Sequence, residues 1–274
     1  MPPEVGSTMR NPGPPIRPPL VIGCGALARE LVELTRRAGL PAMDLTCLPA
    51  SLHNRPERIP GRVAARIRRA RRDGYEQIFL AYADCGTGGL LDRMLETEPA
   101  AAGVARLEGA HCYEVYAGQA AFAELAEREP GTFYLTDFLA RNFDRLVWRG
   151  LGLDRHPELL SQYFGNYSRL VYLAQTEDRA LTAAARRGAR RLRLRFDRRF
   201  TGYGELAAAM SALTPNRAAP DSRTRIPAPS APIIAVRQET GTPGLEPPRR
   251  GRRRLRSRAA TPEFRTPGLV AGAR

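Results

Sequence analysis

Four cysteines and three histidines are the residues of this chain best suited to hold a soft metal ion or to act as nucleophiles. Cys24 sits in Gly23-Cys24-Gly25, Cys47 precedes Leu48-Pro49, Cys85 opens Cys85-Gly86-Thr87-Gly88-Gly89, and Cys112 directly follows His111. No two of them have CxxC spacing, so a shared ligand set must be assembled from loops remote in the chain. Thiolates joined by one imidazole suit zinc, or alternatively an iron–sulfur centre. Cys24 and Cys85 each stand just before an expected helix start, where amide N–H groups and the helix dipole favour thiolate. Cys24, Cys85, Cys112 and His111 are therefore the expected metal ligands. His111, Asp84 and Glu114 are the expected acid–base groups. His53, Asn54 and Arg55 form a polar stretch able to hold a carboxylate or phosphate, since arginine offers a two-pronged fork.

The elements that would position these residues alternate between strand and helix. Leu20–Ile22, Met43–Leu48, Gln77–Ala83, Val104–Leu107 and Thr132–Leu135 read as strands, and Leu170–Leu173 and Arg191–Phe196 add two more. Helical spacing runs through Ala26, Leu27, Leu31 and Leu34, then 60–72, 90–95, 122–127, 137–149 and 178–187. Such alternation predicts the α/β class: a mostly parallel, Rossmann-like sheet with helices on both faces, in a single compact domain over residues 19–213. On this map all four cysteines, with His53 and His111, fall at or just beyond the carboxyl ends of strands, where open α/β sheets bind ligands.

Plainer roles compete for the same residues. A free cysteine usually behaves as a small buried hydrophobe. Asn54-Arg55-Pro56 and Asp154-Arg155-His156-Pro157 each read as a turn leading into a helix. Tyr163, Phe164, Tyr167 and Tyr172 read as core. The glycines support a different chemistry. Gly23-Cys24-Gly25-Ala26-Leu27-Ala28 matches a G-x-G-x-x-A dinucleotide pattern between strand and helix, and Gly86 and Gly88 add a second glycine loop. The acidic residue that should close a second strand is missing, because Asp44 begins that strand instead.

Composition bounds the partners. The formal charge of +15 comes from arginine alone, for there is no lysine among the 274 residues. Thirteen of the arginines lie beyond Leu213, against four acids there, so the basicity belongs mostly to the tail. Residues 1–18 and 214–274 are proline-rich, with few large apolar side chains, and are expected to be disordered. The 249–256 arginine run is expected to meet nucleic acid only non-specifically. No run approaches the roughly 20 apolar residues of a membrane span, and the first 20 residues lack the apolar stretch of a secretory signal. The expected location is the cytoplasm, where four cysteines point to metal or reactivity rather than disulfides.

Eight segments together carry a family resemblance: CGALARE (24–30), CLPASLHNRPE (47–57), YADCGTGG (82–89), HCYEVYAG (111–118), GTFYLTDFLARNFDRLV (131–147), GLGLDRHPEL (150–159), YFGNYSRLVYLAQT (163–176) and RRFTGYGEL (198–206). In this order they resemble the domain of unknown function 1638 family over about residues 19–210. The resemblance implies a cytosolic bacterial or archaeal protein found with genes of corrinoid-dependent methyl transfer. It also implies family motif positions at Cys24, Cys47, Cys85, His111 and Cys112. It supplies no activity.

The expectation that joins these readings is a metal-binding protein of methyl or one-carbon metabolism, acting on a small-molecule substrate with a corrinoid protein or methyltransferase as partner. Thiolate-bound zinc could there activate a thiol or water. The alternatives are an enzyme binding a nucleotide or phosphometabolite through Gly23, Gly25, Gly86 and Gly88, and a non-catalytic adaptor of a corrinoid protein.

Overall fold

A computed structural model describes residues 17–36 and 42–213. Both tails, with the disorder and nucleic-acid contact expected of them, lie outside the described residues. Seven strands appear: β1 (Leu20–Cys24), β2 (Asp44–Leu48), β3 (Ile78–Ala81), β4 (Ala105–Arg106), β5 (Thr132–Leu135), β6 (Arg169–Ala174) and β7 (Arg195–Phe200). Every pairing is parallel, and helices pack on the sheets, as the alternating pattern implied. The strands divide into two sheets rather than one, ordered β2-β1-β3-β4 and β5-β6-β7.

Local composition explains the order. β1 and β3 are apolar and buried at every position, as befits central strands covered on both faces. β2 and β4 are half-buried or exposed and stand at the edges. In the second sheet β6 is buried from Leu170 to Ala174, while β7, Arg-Phe-Asp-Arg-Arg-Phe, presents its arginines along an edge. Each sheet has its own core. Ile22, Leu31, Ile67 and Leu80 are among the buried residues of the first, and Leu135, Leu153, Leu170 and Tyr172 of the second. Full burial of such a side chain contributes about 1.5–3 kcal/mol.

The helices are α1 (Ala28–Thr35), α2 (Ile59–Arg72), α3 (Leu90–Thr97), α4 (Cys112–Ala117), α5 (Gln119–Arg128), α6 (Asp137–Arg141), α7 (Leu159–Phe164), α8 (Arg179–Leu192) and α9 (Gly204–Ala212). Several differ from the sequence reading: α4 was not expected, α6 stops at Arg141 instead of Arg149, and α8 and α9 depart as follows. α8 continues to Leu192, because Leu181, Ala185, Ala189 and Leu192 prolong one buried stripe and Arg193 ends it with a left-handed backbone (φ 60°). The strand read at 191–196 therefore starts only at Arg195. Within α8, Gly188 is required by close packing: a Cβ there would stand 2.9 Å from the Phe143 ring. α9 was not anticipated. It carries the chain back to the first core, where Leu206 and Met210 are fully buried. Among the described residues no helix is long and apolar enough to cross a membrane.

The first sheet determines where a site can form. The chain leaves β1 for β2 on one side, then crosses to β3 on the other. Between the carboxyl ends of β1 and β3 the connections diverge and leave a crevice, the usual ligand position in open α/β sheets.

Candidate functional site

Three of the four cysteines and one histidine converge on that crevice. Cys24 ends β1, and its sulfur accepts the Ala26 amide at 3.3 Å, capping the short turn Gly25–Leu27 that leads into α1. It is 3% exposed. β2 pairs with β1 in register, Cys24 opposite Leu48, so the turn Ala50–Asn54 that follows β2 delivers His53 to the same edge. The His53 ring lies 3.8 Å (Nδ1) and 3.9 Å (Nε2) from the Cys24 sulfur. Its Nδ1 is also 3.0 Å from the Ala50 carbonyl oxygen. Donation from Nδ1–H to that carbonyl would leave the Nε2 lone pair for a thiol proton or a metal.

Cys85 comes from the loop after β3. Its φ is 54°, left-handed, a conformation that favours glycine and that only one other non-glycine residue, Arg193, adopts among the described residues. The loop is fastened by bonds from the Asp84 and Cys85 amides to the carbonyls of Gly109 and Ala110 (3.0 and 2.9 Å). Those bonds bring the start of α4, with Cys112, alongside. Cys24, His53, Tyr82, Cys85 and Cys112 line one cavity of about 10 Å³, room for a single water-sized sphere. Leu27, Leu107 and Val115 supply apolar wall.

The electrostatics reflect this crowding. Burial would lower the His53 pKa, but the charge and hydrogen bond of Cys24, followed by those of Cys85, push it up to about 11. Burial raises the Cys85 thiol, with His53 acting against it. Burial also holds the Cys112 thiol well above its usual range, aided by Cys85 and Cys24. Cys47 lies outside the cavity, opposite Gly23 on β2, and burial followed by the charge of Cys24 pushes its thiol to about 12. The Tyr82 phenol is fully buried, and its hydroxyl has no well-formed hydrogen bond, the Cys24 sulfur being the neighbour that interacts with it.

The other expected residues are placed elsewhere. His111 does not line the cavity. Its Nδ1 faces Glu114 Oε1 at 3.5 Å, and its ring stacks on Tyr113. The second oxygen of Glu114 accepts the Ala110 amide at 2.9 Å, over Gly109, where a Cβ would collide with it. Asp84 closes its own loop by accepting the Thr87 hydroxyl and the amides of Gly88 (3.0 Å) and Gly89 (2.9 Å). Those amides are the ones a phosphate would need. Gly86 and Gly88 both have positive φ in that loop. Gly23 and Gly25 are tightly packed: a Cβ would meet Leu31 Cδ1 at 2.4 Å and Leu48 O at 2.8 Å respectively. They allow close packing of chain on chain. Asn54 and Arg55 are exposed beyond His53. A larger open groove of about 510 Å³, near Arg128, Arg199 and Phe200, holds no thiol or imidazole.

Among the described residues no three His, Cys, Asp or Glu side chains stand ready to hold a metal ion. What the site offers is a histidine within reach of two thiols, a third thiol on the same cavity, and a buried phenol beside Cys24. Sequence reading found the cysteines but favoured His111 as the imidazole and took no account of Tyr82, which resembles an ordinary core aromatic at a strand end.

A family model described as Protein of unknown function (DUF1638) matches residues 47–210. The match begins at Cys47, so β1 and Cys24 lie before it. Comparison with curated proteins and with solved structures found no match.

Proposed function

For this chain, which belongs to the domain of unknown function 1638 family, we propose that the cavity at the β1–β3 crevice binds one soft metal ion, zinc first and an iron centre as the alternative. Cys24, Cys85 and His53 would be the ligands, with Cys112 closing the set and His53 supplying the imidazole in place of His111. The observation that carries this is the 3.9 Å separation of the Cys24 sulfur and His53 Nε2, across a cavity one atom wide that Cys85 and Cys112 also line. Two ligands of a tetrahedral zinc, with bonds of about 2.3 Å to sulfur and 2.0 Å to nitrogen, lie about 3.5 Å apart. The pair is thus a few tenths of an ångström from that spacing. A bound dication would also favour the thiolate forms of Cys85 and Cys112, which burial disfavours. The Ala50 carbonyl on Nδ1 is the outer partner that a metal-bound histidine usually has. The chemistry we attach to the centre is methyl or one-carbon transfer to a metal-activated thiol, with a corrinoid protein or methyltransferase as partner.

Anaerobic purification followed by metal analysis and zinc titration tests the site. The wild type should bind about one zinc, and Cys24→Ser, Cys85→Ser and His53→Gln should each weaken binding by about 100-fold or more. Cys47→Ser and His111→Gln should bind as the wild type does. Wild-type protein that takes up neither zinc nor iron would sink the proposal, and loss of metal in His111→Gln but not in His53→Gln would sink the ligand set.

A further inference from the structure

We infer that Glu30 is a proton-operated latch between the two sheets: while its carboxyl carries a proton, α1 stays closed toward α4 and α6, and when it ionises that contact loosens. The inference goes beyond the metal reading and does not rest on it.

The place of Glu30 in the fold supports this. It lies in the first turn of α1 and is 4% exposed, although glutamate is seldom fully buried unless paired. Its Oε2 is the one carboxylate oxygen among the described residues that is buried without a well-formed hydrogen bond. The donor that acts on the carboxyl is its own backbone amide. Charged and titratable groups reach it from three elements. α1 itself contributes Arg29, and α6, which packs on β5 and β6, contributes Asp137 and Arg141. α4 contributes Cys112 and Tyr116, each of which feels the charge of Glu30. The carboxyl therefore stands at the junction of the first sheet's layer with the second's.

A neutral carboxyl is tolerated in such a place, whereas a carboxylate costs far more. Burial accordingly raises the Glu30 pKa above the usual value. Its own amide opposes the rise, Asp137 adds to it, and Arg141 and Arg29 oppose it. Asp137 also has its oxygens committed to three hydrogen bonds of its own. A carboxyl raised in the folded state contributes stability that is full below its unfolded value, near pH 4, and is lost as pH rises through the folded value. α1 follows directly on the turn Gly25–Leu27, and Leu27 walls the cavity, so the latch reaches the candidate site.

The test compares the full, metal-free, reduced chain with Glu30→Gln between about pH 4 and pH 8, by thermal melting and by hydrogen exchange. Near pH 4 the two should melt alike. The gap should widen as pH rises, with the variant melting on the order of 5 °C higher at about pH 8. After correction for the intrinsic pH dependence of exchange, protection of α1 and α6 in the wild type should fall about fivefold across this range, and should hold constant in the variant. A gap that does not change with pH would overturn the latch. A variant that melts lower at pH 8 would overturn it as well, by showing that the ionised carboxyl is usefully paired with Arg141. Divergent melting with unchanged protection in α1 and α6 would also overturn it, because the contact would then stay closed whatever the charge.

Discussion

The carboxyl edges of the two sheets each hold polar groups away from solvent, and they treat them differently. Beyond β5, Asp137 is 0% exposed, yet both oxygens of its carboxyl are hydrogen-bonded. Oδ1 accepts the Tyr172 hydroxyl at 2.6 Å and the Gln175 amide at 3.0 Å, and Oδ2 accepts the Thr176 hydroxyl at 2.6 Å. The Asp137 amide donates to Gln175 Oε1 at 2.7 Å, and Gln175 Nε2 donates to the Leu173 carbonyl. Beyond β1 and β3 the polar groups are left open instead. A phenol has no well-formed hydrogen bond, three thiols and an imidazole line one small cavity, and Cys85 holds a backbone shape that suits glycine. A closed network locks a fold, whereas an unsatisfied one marks a place where something else is expected to bind. By that contrast the Asp137 network is scaffold and the cavity beyond β1 and β3 is the candidate site.

The sharpest way to break the comparison is Asp137→Ala. It strands three donors in the interior at once and should cost about 3–5 kcal/mol, with a fall in melting temperature on the order of 10 °C. Zinc affinity measured well below the melting range should stay at the wild-type level. A variant that melts normally would show that the Asp137 network does not hold the second edge together.

A smaller effect separates Asp84 from the cavity beside it. Burial alone would raise its pKa, but the Thr87 hydroxyl and the amides of Gly89 and Gly88 hold it below the usual carboxylate range. A carboxyl depressed in the folded state contributes stability that is present above its unfolded value, near pH 4, and is lost as pH falls through the lower folded value. The stability curve should therefore decline in part as the pH falls below about 4. Asp84→Asn should flatten that limb and cost about 1 kcal/mol at neutral pH. Denaturant titrations across this range check it. An unchanged acid limb would mean that the carboxyl does not fasten the loop.

How much of this was legible depended on whether the signal was local. β1, β3 and β5 are apolar runs bounded by breakers, and they stand close to where the sequence places them. The arginines of α8 obscured its end, because only the spacing of Leu181, Ala185, Ala189 and Leu192 shows that the helix outlasts Arg187. α9 escaped notice because Ala207, Ala208, Ala209 and Ala212 give little contrast between faces. The division into two sheets, and the placing of β2 beside β1, depend on pairings between distant segments that no local pattern encodes. The cysteines, by contrast, could be assigned to strand ends from local position. That His53 and not His111 lines the cavity depends on which loops are neighbours.

The smallest expected effect bears most directly on why the first edge is built as it is. Cys85 at φ 54° carries strain of about 1–2 kcal/mol that glycine would not. Glycine in turn loses about 0.5–1 kcal/mol to the greater freedom of the unfolded chain, and forfeits the contacts of one buried sulfur. These terms nearly cancel, so Cys85→Gly should leave the stability of the metal-free protein within about 1 kcal/mol of wild type while abolishing metal uptake. Chemical unfolding beside zinc titration reads both quantities. A loss above about 2 kcal/mol would mean that the sulfur is kept for packing. The near-neutral result would mean that a thiol occupies a glycine's position for the sake of what it binds.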